Sequence, residues 1–253
     1  MTSPAAPLPH HPLAVAIETS SRTSSIALSR DGQLIASESF GHGLRNAASL
    51  LPLIQSLLAS RLLPHRHVTH LYLSIGPGSF TGIRIAVTLA KSWALARQLA
   101  DDPPLTLVPV PSADVTVQNL PPTCAHAAVL LDAKRNQVFT ASYSRTTARN
   151  WQLTRPPRLD TLANLLATTP PNCFPLTLIG EGLPFHPLPT LRSSDITLAP
   201  PDLWTPLAAT LAQIAPHYPP VDPLTLTPLY IRLPEAEEKY QLENPRPIAT
   251  VPQ

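Results

Sequence analysis

The sequence predicts an α/β protein of two subdomains, each built on a mixed sheet flanked by helices. Three observations carry this prediction. Residues 13–40 hold three short strand patterns, helix and strand patterns alternate from residue 44 to residue 110, and a weaker version of the same order begins at residue 127. Consecutive strands joined by short turns pair antiparallel, whereas consecutive strands joined by a helix pair parallel. Each half is therefore expected to form one mixed sheet.

The first half gives the clearest element order. LAVAIE at 13–18 is a buried-strand pattern, and Asp31-Gly32 between two further strand patterns predicts a tight hairpin. The predicted elements are strands 13–18, 24–29 and 34–40, a helix 44–61, a strand 71–75, a helix 79–100 and a strand 106–110. This order is that of the ribonuclease-H-like half of actin-type folds, an analogy of fold that does not fix function.

The second half repeats the pattern less clearly. Its predicted elements are strands 127–131, 137–143 and 176–179 and helices 159–167 and 206–214. We therefore expect a disordered leader at 1–12, an N-terminal ribonuclease-H-like subdomain at 13–110, a degenerate C-terminal one at 111–232 and a polar tail at 233–253.

Composition excludes several classes of protein. Of 253 residues, 43% are apolar and 13% are charged, with a net charge of +2, so the chain can bury a core but carries no strong electrostatic footprint for nucleic acid. The two cysteines, Cys124 and Cys173, show no disulfide or metal-ligand spacing. The N-terminus lacks a signal-peptide pattern, and no apolar run approaches the roughly 18 residues of a membrane span. We expect a cytoplasmic protein that does not bind membranes.

The most specific pattern is a glycine-rich turn between a predicted strand and helix. It reads GPGSFTG at 76–82 and holds three of the eight glycines. Gly76 and Gly78 permit a tight turn, Ser79 can cap the helix, and Gly82 allows a close approach. One alternative is a phosphate or nucleotide loop at Gly76, Gly78, Ser79 and Thr81; the other is an elbow that packs the helix on the sheet. The spacing fits neither a P-loop nor a dinucleotide fingerprint.

The helices predicted at 44–61 and 79–100 are more apolar than one sheet requires. Either they cover each other within the chain, or together they form an interface with a partner. The interface alternative assigns contact roles to Leu44, Leu51, Ile54, Ile83, Val87, Ala90 and Ala94. It predicts that Val87→Glu or Leu51→Glu abolishes partner binding and leaves the monomer folded.

Five segments in order along the chain resemble the TsaB family. GPGSFTGIR at 76–84 is the specific one. The others are AIETSS at 16–21, LLPLI at 50–54, DAKR at 132–135 followed by Val138-Phe139, and PLYIR at 228–232 followed by Ala236, Glu237 and Lys239. Two positions depart from the family pattern. Glu18 replaces its usual Asp, which organises metal and phosphate in active actin-like ATPases, and Asn46 replaces a frequent His.

The resemblance implies an actin-like ATPase fold without catalysis of its own. It implies a heterodimer with TsaD, which carries the metal and transfers threonylcarbamoyl to adenosine 37 of tRNAs that read codons beginning with A. TsaE joins that assembly, ATP is used by the assembly, and tRNA is only its substrate. Members also form homodimers through the face of the two N-terminal helices. We therefore expect no cofactor, metal or catalytic residue in this chain.

The sequence lacks the residue patterns that catalytic alternatives would need. Metallopeptidase-like relatives carry two histidines one helical turn apart after the strand at 106–110, but residues 110–116 hold none. The cluster His65, His67 and His70 lies in a predicted linker and is better interpreted as a solvated loop. No G-x-S-x-G nucleophile pattern is present. A free-standing actin-like ATPase or phosphotransferase, or a glycopeptidase-like protein, stays as the alternative function.

Overall fold

The computed structural model describes residues 12–41, 46–147, 150–187 and 195–232, without the side chains of residues 46–48. The predicted leader, apart from Pro12, and the predicted tail at 233–253 lie outside this range. Within it, two five-stranded sheets form the framework. No helix of the described residues has the length and apolar character needed to cross a bilayer.

The first sheet has the strand order β3-β2-β1-β4-β5. Its strands are β1 (Leu13–Glu18), β2 (Ser24–Arg30), β3 (Gln33–Phe40), β4 (Val68–Ser74) and β5 (Thr106–Val110). The first three pair antiparallel, and β4 and β5 join parallel to β1. Asp31 and Gly32 both have positive φ, at 53° and 74°, which confirms the hairpin predicted from this pair.

Two helices cover one face of the first sheet. They are α1 (Asn46–Ser60) and α2 (Phe80–Leu99), close to the predicted spans 44–61 and 79–100. Each helix repeats its apolar residues every three or four positions, so that one stripe meets the sheet. That stripe enters a shared core through Leu50, Ile54, Leu57 and Leu58 of α1 and Ile83, Ala86, Val87, Ala90 and Ala94 of α2.

The second sheet repeats the topology of the first. Its strands are β6 (His126–Asp132), β7 (Val138–Thr147), β8 (Asn150–Asp160), β9 (Leu176–Ile179) and β10 (Ile196–Leu198). The order β8-β7-β6-β9-β10 matches β3-β2-β1-β4-β5, with the same antiparallel and parallel pairs. The repeat predicted from the sequence is therefore present in the fold.

Three shorter helices join and cover the sheets. They are α3 (Ser112–Val117), α4 (Leu162–Thr168) and α5 (Ala208–Ile214). Between the sheets, α3 contributes Val115 to a core with the first and Ala113 and Val117 to a core with the second. On the second sheet, α4 packs against β6 and β9.

The last described segment returns to the first sheet. Helix α5 packs against β1 and β2 on the face opposite α1 and α2, and Val221 bridges to Leu107 of β5. Leu226 completes the core beneath α2. Residues 208–229 therefore contact the first sheet, whereas the sequence analysis assigned them to the second subdomain.

The local predictions differ from the structure mainly in the second half. Residues 159 and 160 end strand β8, so the helix predicted at 159–167 begins later, as α4. Strands β8 and β10 and helix α3 were not predicted.

Candidate functional sites: glycine elbow and two-helix groove

The turn between β4 and α2 forms the glycine elbow, defined as residues 76–82. Gly76 and Gly78 have φ values of 109° and 155°, which glycine adopts without strain. The Ser79 hydroxyl accepts a hydrogen bond from the Gly82 N–H at 3.3 Å and caps the first turn of α2. The tight turn and the serine cap predicted from the sequence are confirmed.

The elbow packs directly against the turn that follows β1. A Cβ atom at Gly82 would lie 1.9 Å from the Thr19 carbonyl oxygen, and one at Gly78 would lie 2.1 Å from that of Ser20. The Ser79 N–H donates to the Ser20 carbonyl oxygen at 2.6 Å. The Thr19 hydroxyl donates to the Gly82 carbonyl oxygen at 2.8 Å. The close approach that Gly82 permits is therefore made by the backbone of the turn after β1, at Thr19.

Three of the six backbone N–H groups of the elbow donate to acceptors within the chain. Those of Gly76, Ser79 and Gly82 donate to the Ser112 hydroxyl, the Ser20 carbonyl and the Ser79 hydroxyl. A helix N-terminus binds phosphate through N–H groups that point at the ligand. The arrangement supports the structural-elbow alternative. The phosphate or nucleotide loop at Gly76, Gly78, Ser79 and Thr81 stays a prediction.

Glu18 ends β1 as a fully buried carboxylate. It accepts hydrogen bonds from the Ser20 N–H at 2.7 Å, the Ser20 hydroxyl at 2.6 Å and the Ser74 hydroxyl. Burial raises the pKa of Glu18 above its ordinary value, and the serine hydrogen bonds oppose that rise. Its carboxylate is therefore held by donors of its own chain.

Asp132 ends β6 at the position of the second sheet that corresponds to Glu18. Its carboxylate accepts from the Lys134 N–H at 3.0 Å and pairs with the Lys134 ammonium at 2.9 Å. His186 Nε2 lies 3.5 Å away. Burial works to raise the pKa of Asp132, but the Lys134 hydrogen bonds and charge outweigh it and lower that pKa. Gly180 and Gly182 pack on the end of β6 as the elbow glycines pack beyond β1.

Glu181 connects the two halves beside these strand ends. One of its carboxylate oxygens accepts from the Arg22 N–H at 3.1 Å, in the turn after β1. The other accepts from the Thr205 hydroxyl at 3.1 Å. In active actin-like ATPases, according to the resemblance, metal and phosphate lie near the acid at the end of β1. In this chain, the region beyond the end of β1 contains the hydrogen bonds that Glu181 accepts from Arg22 and Thr205.

The segment that carries metal ligands in catalytic relatives forms the end of β5 and helix α3. Its acidic residue, Asp114, accepts from the hydroxyls of Tyr143 at 2.6 Å and Tyr218 at 2.8 Å. His65 and His67 lie in a short 3-10 turn and His70 in β4. In the described residues, no three His, Cys, Asp or Glu side chains are grouped to hold a metal ion.

A groove of about 600 Å³ runs between α1 and α2 on the surface away from the sheet. We call it the two-helix groove. It is lined by Leu50, Leu51, Phe80, Thr81, Arg84, Ile85, Thr88, Leu89 and Ser92. Leu51 is 42% exposed in the absence of a partner. An apolar groove of this size suits a packed side-chain surface of another protein.

The structure corrects the choice of interface residues. Of the predicted contacts, Leu51 faces the groove and Leu44 lies outside the described residues. The others are buried in the first core, beneath the helices: Ile54, Ile83, Val87, Ala90 and Ala94. They pack α1 and α2 on the sheet and are not accessible to a partner. The apolar stripe that the sequence shows is thus a core stripe, and the interface itself stays a prediction for the adjoining exposed face.

An aromatic and arginine cluster at one end of the groove was not predicted. The Arg84 guanidinium carbon lies 3.7 Å from the ring centroid of Phe80 and 5.6 Å from that of Tyr230. Its Nε donates to the Tyr230 hydroxyl at 2.7 Å. The sequence places Phe80 and Arg84 one helical turn apart, but their contact with Tyr230 spans 146 positions and has no local signal.

Comparison with known proteins decides the family. The family model described as TsaD, tRNA N6-adenosine threonylcarbamoyltransferase, matches residues 45–193, more than half of the chain. The chain belongs to this family. Within it, the chain is 27% identical over 230 residues to the tRNA threonylcarbamoyladenosine biosynthesis protein TsaB of Bacillus subtilis, covering 89% of this chain and 96% of that one. The TsaB of Escherichia coli is 29% identical over 137 residues, covering 54% and 57%.

The fold agrees with this assignment. The solved structure of YeaZ from Pseudomonas aeruginosa superposes with a TM-score of 0.69 at 20% identity, over 87% of this chain and 99% of that one. The resemblance to TsaB and the actin-like ATPase fold, with two mixed sheets flanked by helices, are therefore both confirmed.

Three segments that resemble the TsaB family meet in space. PLYIR crosses from the first sheet to the second: the Leu229 N–H donates to the Ile75 carbonyl oxygen at 2.8 Å, beside GPGSFTGIR. Arg232 then donates to the Ala133 carbonyl oxygen of the DAKR segment at 2.6 Å. The PLYIR segment thus connects the glycine elbow to the turn between β6 and β7.

Proposed function

We propose that this chain is a non-catalytic accessory subunit in the formation of N6-threonylcarbamoyladenosine at position 37 of tRNAs that read codons beginning with A. It acts with a TsaD-type subunit, which carries the metal and performs the transfer, and with a TsaE-type ATPase. ATP is used by that assembly, and tRNA is its substrate. The observation that carries the proposal is the alignment with Bacillus subtilis TsaB over 96% of that protein's length.

The geometry supports the accessory role. The carboxylates at the ends of β1 and β6 both accept hydrogen bonds from residues of this chain. The two-helix groove instead offers an apolar surface on the outside of the molecule. A protein whose acids are satisfied internally and whose apolar surface is exposed is suited to binding a partner.

Two alternatives have less support. A free-standing actin-like ATPase or phosphotransferase would use the glycine elbow, where the N–H groups of Gly76, Ser79 and Gly82 already have acceptors. A glycopeptidase-like protein would need metal ligands on the segment that forms α3. The acidic residue there, Asp114, instead accepts hydrogen bonds from the hydroxyls of two tyrosines.

Size-exclusion chromatography of this chain with the TsaD-type protein of the same organism tests the proposal. A threonylcarbamoylation assay on unmodified tRNA, with the TsaE-type protein and ATP, follows. We expect a stable complex and modified tRNA only when all three proteins are present. Product formed equally well without this chain, or ATP turnover by this chain alone, would contradict it.

A further inference from the structure

A second and larger cleft, of about 1110 Å³, lies between the two halves of the molecule. We call it the α5 cleft. It is formed by the β2–β3 hairpin at Gln33, the end of α3 at Gln118, the β7–β8 hairpin at Arg145 and Trp151, and helix α5 at Gln213. Segments from both halves thus contribute to one concave surface, which is the usual shape of a site for a small ligand.

The α5 cleft is separate from the sites described above. The β2–β3 hairpin lies beside Leu13, where β1 begins, and the β7–β8 hairpin lies beyond His126, where β6 begins. Glu18 and Asp132 lie at the other ends of these two strands. Helix α5 also packs on the face of the first sheet opposite α1 and α2. A ligand in the α5 cleft is therefore compatible with a partner in the two-helix groove.

Arg145 and Trp151 form a fixed cation–aromatic pair in the wall of the cleft. The guanidinium carbon of Arg145 lies 4.0 Å from the centroid of the Trp151 ring. Its Nε donates to the Cys124 carbonyl oxygen at 2.8 Å, and a terminal nitrogen donates to the carbonyl oxygens of Leu120 and Pro121, each at 3.0 Å. Because the guanidinium is held before any ligand binds, little further entropy is lost on binding. Unpaired bases stack on aromatic rings and on guanidinium planes of this kind.

Carboxamide side chains supply hydrogen-bonding groups around this pair. Four of them line the cleft, namely Gln33, Gln118, Asn150 and Gln213. Within the residues that the structure describes, no hydrogen bond engages any of these four side chains. A carboxamide places an N–H donor beside a C=O acceptor, which is the pattern that pairs with the edge of a base.

The charge of the cleft also suits a nucleoside. Arg145 and His217 line it, and no Asp or Glu is among its described lining residues, so a phosphate on the ligand would not be repelled. The Tyr218 hydroxyl donates its proton to Asp114 at 2.8 Å. Its oxygen is thereby left as an acceptor for a ligand hydroxyl or amino group.

We propose that the α5 cleft binds an unpaired nucleoside, with the base against the Arg145–Trp151 pair and the base edge hydrogen-bonded by the carboxamides. A free nucleotide and an unpaired nucleotide in an RNA loop share this chemistry. The RNA source rests on the proposed function, in which tRNA is the substrate. With a net charge of +2, the chain would then contribute base recognition rather than most of the phosphate contacts.

Nuclear magnetic resonance of the full chain tests the site directly. The chain has three tryptophans, so its indole N–H region holds three resonances, and Trp151→Phe assigns the one in the cleft. We expect this resonance to shift on titration with adenosine 5′-monophosphate, or with an RNA hairpin whose loop is unpaired, but not with a fully paired RNA duplex. A shift with the hairpin assigns the site to RNA, and a shift with the mononucleotide alone assigns it to a free nucleotide.

Calorimetric titration of variants with the probe that binds completes the test. Trp151→Leu should weaken the Kd at least about five-fold, the lower end of what base stacking contributes. Gln213→Ala, at an exposed position of α5, removes one carboxamide without disturbing a core and should weaken it about three-fold. Gln152→Ala is the matched control, because Gln152 is an exposed neighbour of Trp151 outside the cleft lining, and it should leave the Kd unchanged.

Two results would overturn the inference. One is a Trp151 resonance that moves with neither probe, and the other is a Kd that Trp151→Leu and Gln213→Ala both leave unchanged. Either result leaves the proposed function standing, since that function is tested by complex formation and product with the TsaD-type protein. Product formed equally well without this chain would instead contradict the proposed function, so the two failures are distinguishable.

Discussion

Glu18 is an acidic residue at the end of β1 whose carboxylate forms structural hydrogen bonds within the chain. The longer side chain reaches the Ser20 N–H and the Ser20 and Ser74 hydroxyls, so the carboxylate is satisfied inside the protein. Full burial nevertheless raises its pKa. Glu18 therefore binds its proton more tightly in the folded state than in the unfolded state, where the pKa is about 4.5.

This linkage predicts the pH dependence of stability. Because the folded pKa is raised, the Glu18 contribution is most favourable at low pH and declines as pH rises from about 4.5 through the folded value. Glu18→Gln cannot ionise, so its free energy of unfolding should fall less than that of the wild type as pH rises above the unfolded pKa of about 4.5. Urea denaturation at several pH values measures this. Glu38→Gln, at an exposed residue of β3, is the control, and parallel curves for Glu18→Gln and wild type would contradict the account.

The packing of the elbow gives a second prediction for a single residue. An added Cβ at Gly82 would lie 1.9 Å from a backbone oxygen of Thr19, which cannot move without shifting the turn after β1. Gly82→Ala should therefore lower the free energy of unfolding by about 1–3 kcal/mol. Gly41→Ala meets nothing within 4 Å and should change it by less than about 0.5 kcal/mol. Equal stability of the two variants in urea would show that the elbow is not tightly docked.

Among the elements, helices α1 and α2 each have residues buried against the sheet and residues on the exposed face that we predict to be the interface. Val87 is 6% exposed and faces the sheet, whereas Leu51 of α1 is 42% exposed at the groove. Val87→Glu should cost at least about 3 kcal/mol of stability, because it buries an unpaired charge. Leu51→Glu should stay folded and lose partner binding. Leu99→Glu, at a position 79% exposed on α2 and outside the groove lining, is the matched control and should do neither. A stable Val87→Glu protein would contradict the core assignment, as measured by thermal unfolding and co-elution.

Elements with a strong local pattern were predicted well. The apolar runs at β1, β5 and β9 match the observed strands residue for residue, and the Asp31-Gly32 hairpin follows from two residues that accept positive φ. Strand β8 was missed because it is polar and contains Pro156 and Pro157. Among the described residues it is an edge strand paired with β7, and an edge tolerates proline because one side needs no backbone donor.

For the candidate site, the sequence identified the two apolar helices but not which of their residues are buried and which are exposed. The apolar residues showed that α1 and α2 are more apolar than one sheet requires, yet they could not tell which residues meet the sheet. The structure assigns Val87 and Ile54 to the core and Leu51 to the groove. Arg84 contacts Tyr230 of the distant PLYIR segment, and no local sequence pattern predicts that contact.

As a whole, the molecule is a duplicated sheet whose second copy has diverged. Matching strand orders bring Glu18 and Asp132 to equivalent strand ends. The repeat is visible in the sequence, but the return of α5 to the first sheet is not, because that contact joins distant segments of the chain through packing. The two halves are linked by α3 and by Glu181, whose contacts lie beside both strand ends. This arrangement favours a framework that presents its outer helices to a partner.

We propose that this framework supports tRNA modification through the two-helix groove. The deciding measurement is mass spectrometry of N6-threonylcarbamoyladenosine in tRNA from reactions with the TsaD-type and TsaE-type proteins. Wild-type chain and Leu99→Glu should give full product, and Leu51→Glu should give the background level seen without the chain. Full product with Leu51→Glu, or with no chain added, would contradict the account.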